Sequence, residues 1–118
     1  MQVVEGVVIG GNRLGRTLGF PTANMDVADR NDLANGVYRS EVEIDGRRYR
    51  AMSNVGVRPS VDGRTRLLET HIFDFHGDLY GRVLRVALIE KIRDERKFSS
   101  VEELRAQLEY DKEQIAQQ

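Results

Sequence analysis

The sequence contains no cysteine, which excludes disulfide staples and thiolate chemistry and makes a cytoplasmic location the simplest expectation. No apolar run approaches the roughly 18 residues that a membrane helix requires, so no membrane partner is expected. Residues 1–10 hold no basic stretch leading into a long apolar one, so no secretory signal is legible there. Net charge is almost absent: 18 basic side chains against 19 acidic ones leave −1. That is too little positive excess for non-specific nucleic-acid binding, and no nucleic-acid partner is expected. Lysine is scarce, confined to Lys91, Lys97 and Lys112. The remaining basic residues are arginines, whose forked donors suit phosphate, although a compositional habit of the source accounts for the bias equally well. Internal repeats, low-complexity tracts and Pro/Ser-rich linkers are also missing.

What is present fits one globular domain spanning residues 1–118, with 40% hydrophobic and 31% charged residues. Val3 to Ile9 reads as a strand. The stretch Gly10 to Gly19 is too glycine-dense for a regular element. Val37 to Ile44 and Arg47 to Met52 flank Asp45-Gly46, a dipeptide favoured in two-residue hairpin turns. Arg64 to Phe75 reads as a long strand entered through Asp62-Gly63, and Val83 to Ile92 as a last one after a turn at His76-Gly77-Asp78. The period then changes. Ser99 with Glu102, or Ser100 with Glu103, offers a capping box for a helix over about 99–116. Val101, Leu104, Leu108 and Ile115 fall near one face of it. Five or six strands over about 1–98 followed by one helix indicate a mainly β fold, a small antiparallel barrel with a covering helix.

Three segments could carry chemistry. Gly10, Gly15, Arg16 and Thr17 nearly spell a P-loop, but arginine replaces the lysine, and Leu18-Gly19-Phe20-Pro21 cannot begin the helix that cradles phosphates in that fold. The glycines still let backbone N–H groups approach an anion closely; a plain barrel loop is the alternative. In Gly19-Phe20-Pro21-Thr22-Ala23-Asn24, the Thr22 hydroxyl and Asn24 amide project from one side of extended backbone. They are neutral oxygen donors of the kind Mg²⁺ accepts beside nucleotide phosphates; an ordinary capped turn is the alternative. In Leu67 to Phe75, alternation puts Glu69 on one face with Leu67, His71, Phe73 and Phe75. A carboxylate on an apolar face is costly unless paired or used, so Glu69 is a candidate general base or a rim glutamate paired with an arginine. His71 and His76 lack a third ligand at zinc-site spacing; His71 is expected to be a hydrogen-bonded structural residue and His76 a turn residue.

Taken in order, these segments resemble the riboflavin kinase family. The likeness runs from Gly6 through Arg16-Thr17-Leu18-Gly19-Phe20-Pro21-Thr22-Ala23-Asn24, Gly36-Val37-Tyr38 and Asn54-Val55-Gly56-Val57-Arg58-Pro59-Ser60. It continues through Glu69-Thr70-His71, Asp74-Phe75, Leu79-Tyr80-Gly81, Ile92-Arg93 and Phe98. The Pro-Thr-Ala-Asn element is its most specific part. Two departures are mild: Ser60 stands where threonine is usual, and Ala34-Asn35 precedes Gly36 where proline is common. The resemblance implies a six-stranded antiparallel Greek-key barrel with a C-terminal α-helix, and transfer of the ATP γ-phosphoryl group to the 5′-hydroxyl of riboflavin, giving FMN. It implies Glu69 as the base. Gly10, Gly11, Gly15, Arg16 and Gly19, with Thr22 and Asn24, would face the nucleotide phosphates. Thr22 and Asn24 would hold Mg²⁺, and Arg93 and Phe98 would border the flavin.

The pocket so implied sets Glu69 facing Thr22 and Asn24 across the opening of the closed sheet. Bacterial members of the family commonly carry an FMN adenylyltransferase module N-terminal to this domain. Its absence from these residues leaves a stand-alone kinase or the kinase half of a longer protein, with the module a fused or separate partner. A flavin or nucleotide sensor that kept the barrel without turnover is the alternative, and intact Thr22, Asn24 and Glu69 argue against it. A nucleic-acid-binding barrel would need a basic groove with exposed stacking aromatics, and the eight aromatics (four Phe, four Tyr) fall largely in apolar patterns.

Overall fold

A computed structural model describes residues 1–10 and 14–117. The chain runs β1 (Gln2–Val7), α1 (Leu14–Thr17), β2 (Ala23–Asp26), β3 (Gly36–Ile44), β4 (Arg47–Ser60), β5 (Gly63–Ile72), β6 (Val83–Arg93) and α2 (Val101–Ala116). The strands form one six-stranded sheet in the order β1-β6-β3-β4-β5-β2, every pairing antiparallel. Strands β3, β4 and β5 follow one another, and β6 returns beside β3, which is a Greek key. The sheet curls until its edges meet. Ile9 bridges Asn24, its N–H donating to the Asn24 carbonyl at 2.8 Å. The result is a nearly closed barrel with a seam between β1 and β2.

Local chemistry explains the turns. Asp45 (φ 52°) and Gly46 (φ 83°) are both left-handed, the conformation of the type I′ turn, whose twist matches that of the flanking strands. The β2–β3 connection crosses one barrel end. Its Arg30 donates to the Val3 carbonyl at 3.1 Å, Arg66 of β5 donates to the Arg30 carbonyl at 2.8 Å and to the Leu33 carbonyl, and Leu33 is buried in the interior. The β5–β6 connection folds over the barrel with Leu79 buried in the same interior.

Two apolar cores result. The inner one fills the barrel with Met25, Val42, Val55, Leu68, Val86 and their neighbours. Within it Ser40, Ser53 and Thr70 form a hydroxyl chain, Oγ to Oγ and Oγ to Oγ1 at 2.8 Å each, so these buried polar groups satisfy one another. The outer core lies on the other face of the sheet, where Val37, Met52 and Phe73 meet Leu18, Phe20 and the α2 residue Ile115.

Several expectations need correction. Strand β4 runs on to Ser60 instead of stopping at Met52. Its second half is polar and holds Gly56 and Pro59, which hide a strand from propensity. Strand β5 ends at Ile72: Phe73 and Asp74 turn, with Asp74 at φ 58°. Phe75 therefore leaves the face of Glu69 and packs edge-on against Tyr49 at 5.4 Å, beside the inner core. The glycine-dense stretch does contain one helical turn, α1. In α2 the cap is Ser100, whose hydroxyl accepts from the Glu103 N–H at 3.1 Å. Val101 is 48% exposed, and Asp111 is buried with Ile115 on the packed face.

Candidate functional site

The antiparallel register brings together residues far apart in sequence. Asn24 of β2 stands opposite Glu69 of β5, Glu69 opposite Asn54 of β4, Asn54 opposite Val37 of β3, and Val37 opposite Arg93 of β6. Directly opposed residues project from the same side of a sheet. One row across five strands thus carries three of the residues singled out by sequence, and it lies on the outer face, beneath α2. Thr22 meets Glu69 on a cavity of that outer face, while Thr22 and Asn24 also line a cavity at the seam with the inner-core residues Val8, Ile72 and Leu79.

The segment leading into this row is anchored locally. Leu18 and Phe20 bury in the outer core, and the Pro21 carbonyl accepts a 2.8 Å hydrogen bond from His71 Nδ1. These holds deliver Thr22 to the end of the row. The Thr22 hydroxyl donates to Asn24 Oδ1 at 2.8 Å, and Asn24 is buried. Since a carbonyl can only accept, His71 carries its proton on Nδ1, which leaves Nε2 as a lone pair. That atom is buried and, among the described residues, unpartnered. Burial, with Lys112 nearby and against the bond to Pro21, holds the imidazole pKa below its ordinary 6.5 and so disfavours the charged ring. His71 is the hydrogen-bonded residue expected, packed between Phe20 (5.1 Å) and Phe73 (5.7 Å).

Glu69 is both paired and on a cavity wall. Arg58 Nε donates to its Oε1 at 2.8 Å, and Arg58 Nη1 donates to Glu95 Oε2 at 3.1 Å. Burial opposes the charge on Arg58, but the two carboxylates more than offset it and leave its pKa raised. Among the described residues nothing bonds to Glu69 Oε2. The Glu95 carboxylate and the Arg58 guanidinium pass close over the bare backbone of Gly56, where a Cβ would crowd both side-chain ends.

Two cavities flank Thr22. The first, about 610 Å³, lies between the sheet's outer face, segment 94–98 and α2, and Thr22, Asn54, Arg58, Glu69 and His71 line it together with Phe20, Val37, Phe98, Leu104 and Leu108. The second, about 730 Å³, lies at the seam and is lined by Gly10, Arg16, Thr22, Asn24 and the 75–80 segment. Both are of ligand-binding size. Thr22 belongs to both walls.

The structure therefore gathers Glu69, Thr22 and Phe98 around one cavity and Gly10, Arg16, Thr22 and Asn24 around the other. Gly15 sits in α1, Gly19 closes that turn with its N–H to the Arg16 carbonyl at 3.1 Å, and Gly11 lies outside the described residues. Arg93 lines neither cavity wall. It grips the buried Asp111 of α2 with Nε and Nη2, at 3.0 and 2.8 Å to Oδ2. Asn54, Arg58 and Glu95 were assigned no role from sequence. Continuing the alternation of β4 past Met52 is the signal that places Asn54 on the cavity side.

Thr22 Oγ1 and Asn24 Oδ1 are held together by their own hydrogen bond, and both are neutral oxygens of the kind a divalent cation accepts. Among the described residues no cluster of three His, Cys, Asp or Glu could hold a metal alone, so a bound anion would have to supply the charge.

The sequence model of the Flavokinase family, described as riboflavin kinase, matches residues 2–118. The chain is 43% identical over 111 residues to a bifunctional riboflavin kinase/FMN adenylyltransferase of Haemophilus influenzae, covering 93% of this chain and 36% of that one. It is 41% identical over 112 residues to an RNA-binding riboflavin kinase, RibR, of Bacillus subtilis, covering 94% and 48%. A solved structure described as a macrolide-efflux protein from Streptococcus pneumoniae superposes with a TM-score of 0.82 at 45% identity, covering 94% and 37%. The chain thus spans between about a third and a half of these proteins.

Proposed function

The chain belongs to the riboflavin kinase family, and from that premise we propose that it transfers the γ-phosphoryl group of ATP to the ribityl 5′-hydroxyl of riboflavin, giving FMN and ADP. The single observation that carries this reading is the position of Thr22 on the wall shared by two cavities, one with Glu69 and the other with Gly10 and Arg16. Two substrates that must exchange a group need adjoining sites with the reacting atoms at the junction.

The first cavity suits the flavin. Phe20, Val37, Phe98, Leu104 and Leu108 give it apolar walls for a tricyclic ring, and the polar row sits where the ribityl chain would reach. The second suits the triphosphate, with Arg16 and the backbone at Gly10 as donors to anionic oxygens. Glu69 accepts the proton of the 5′-hydroxyl as its oxygen bonds to the γ-phosphorus and the bond to the ADP oxygen breaks. Arg58 fixes the Glu69 carboxylate through Oε1 and leaves Oε2 for the substrate. Thr22 and Asn24 would hold Mg²⁺, whose charge, when bound, offsets that of the phosphate oxygens. Arg93 serves the flavin site indirectly, by holding α2 through Asp111. An FMN adenylyltransferase module, fused or separate, is the partner such a product would meet.

The test is direct. Protein, MgATP and riboflavin are incubated and the flavins separated by chromatography. FMN accumulating in proportion to enzyme supports the reading, and riboflavin recovered unchanged sinks it.

A further inference from the structure

We infer that Glu95 is a positioning residue for the transfer: it holds one end of the Arg58 guanidinium and so stops that arginine from capping both oxygens of Glu69. The inference rests on the kinase reading above and deepens it. Its ground is how the donors of Arg58 are spent. Nε donates to Glu69 Oε1 at 2.8 Å, while Nη1 donates to Glu95 Oε2 at 3.1 Å and to the Val57 carbonyl at 3.0 Å. Among the described residues Nη2 bonds to nothing.

Nε and Nη2 share the edge of a guanidinium that forks onto a carboxylate with two parallel bonds. Here that edge meets Glu69 and makes only one of the two. The second would fall on Oε2, the oxygen left for the substrate hydroxyl. A fork is the stronger arrangement, so something must hold the guanidinium back from it. The two bonds at Nη1 do so from the opposite edge, and Glu95 supplies the charged one. The side chains of Arg58, Glu69 and Glu95 keep only 20%, 13% and 30% of their exposure, so solvent does not screen this competition as it would at an open surface. Strand register shows that the arginine acts on the base alone. Arg58 stands opposite Thr65 and reaches Glu69 from the start of β5, whereas Ala23, next to Thr22, stands opposite Thr70, beyond Glu69. The cation therefore lies away from the junction of the two cavities. Glu95 belongs with Arg96, Lys97 and Phe98 to the wall of the first cavity, so the freedom of Oε2 depends on that segment being seated.

The experiment measures steady-state FMN formation by the wild type, Glu95→Ala, Glu95→Gln, Arg58→Met and the double variant of Glu95→Ala with Arg58→Met, and reads riboflavin affinity from flavin fluorescence. Glu95→Ala should lower kcat roughly tenfold to a hundredfold while riboflavin affinity stays within about threefold of wild type. Glu95→Gln, which keeps an acceptor for Nη1, should recover most of that loss. With no arginine left to fork, the double variant should turn over no more slowly than Arg58→Met alone. Losses that multiply in the double variant overturn the assignment. So does a Glu95→Ala protein that binds riboflavin weakly at unchanged kcat, which would make Glu95 a cavity wall and no more. Should Arg58→Met fail to fold, the two Glu95 variants decide alone, and equal losses in kcat count against the proposal. FMN formation by the wild type with kcat unchanged in Glu95→Ala removes only the role of Glu95. Absence of FMN from the wild type removes the kinase reading as well.

Discussion

Leu68 and Glu69 are neighbours in β5, yet they belong to different worlds. Leu68 points into the barrel and is wholly buried among apolar side chains. Glu69 points outward to a face that α2 covers only in part, and there an ion pair and a cavity of about 610 Å³ coexist. A barrel of six strands is narrow enough for its own side chains to fill. Its centre is filled, and the cavity that inner-core residues do help to line lies at the seam. The outer core is smaller, and its incompleteness is what makes space for chemistry. The inner core packs tightly while Glu69 faces the outer cavity, and four substitutions test that division.

The largest expected effect is at the outer face. Glu69→Gln should lower kcat by ~10²–10⁴-fold while riboflavin binding survives, read by steady-state kinetics and flavin fluorescence. Turnover within threefold of wild type would remove Glu69 from the role of base. Leu68→Ala, one residue away, should do the reverse. A cavity in the inner core costs about 2–5 kcal/mol of unfolding free energy, seen in denaturant titration, with kcat per folded molecule unchanged. Loss of turnover without loss of stability would erase the distinction between the faces.

Asp111→Ala lies between the two. It strands Arg93 beneath α2 and should cost about 1.5–3 kcal/mol, as for hydrogen bonds to charged groups. Because α2 also carries Leu104 and Leu108, the KM for riboflavin should rise more than kcat falls. The smallest effect concerns His71. Its folded pKa lies below the ordinary 6.5 because burial disfavours the cation. The unfolded chain therefore takes up the proton first as pH falls, and stability declines from about pH 6.5 downward until the folded ring also titrates. His71→Gln keeps a donor for the Pro21 carbonyl without titrating, so it should flatten the stability profile in that range. An unchanged profile would mean the ring charges freely.

The parts legible in advance were those with short-range causes. Asp45-Gly46 specified its hairpin because both residues tolerate the left-handed turn, and Ser100 with Glu103 specified the start of α2 through its cap. Thr22 and Asn24 were legible as a pair because alternate residues in extended backbone share a side. Less was visible where one residue had to answer to distant neighbours. The second half of β4 holds Gly56 and Pro59, residues that weaken a strand, but pairing with β5 along its length overrides local preference. Phe75 left the face of Glu69 because the chain turns at Phe73-Asp74 to cross the barrel, and alternation assumes that a strand continues. Asp111 gave no sign of its burial until Arg93 lay opposite it.

The order of apolar and polar residues by itself determined which side chains alternate, where the chain turns and where the helix begins, because each depends on atoms a few residues apart. Only the tertiary structure decided that Asn24, Glu69 and Asn54 stand in one row, and that Glu69 and Asn54 line a cavity under α2 while Asn24 lines one at the seam. Strand neighbours are chosen by long loop closures whose entropy cost is offset only when both cores form together. No local pattern carries that information.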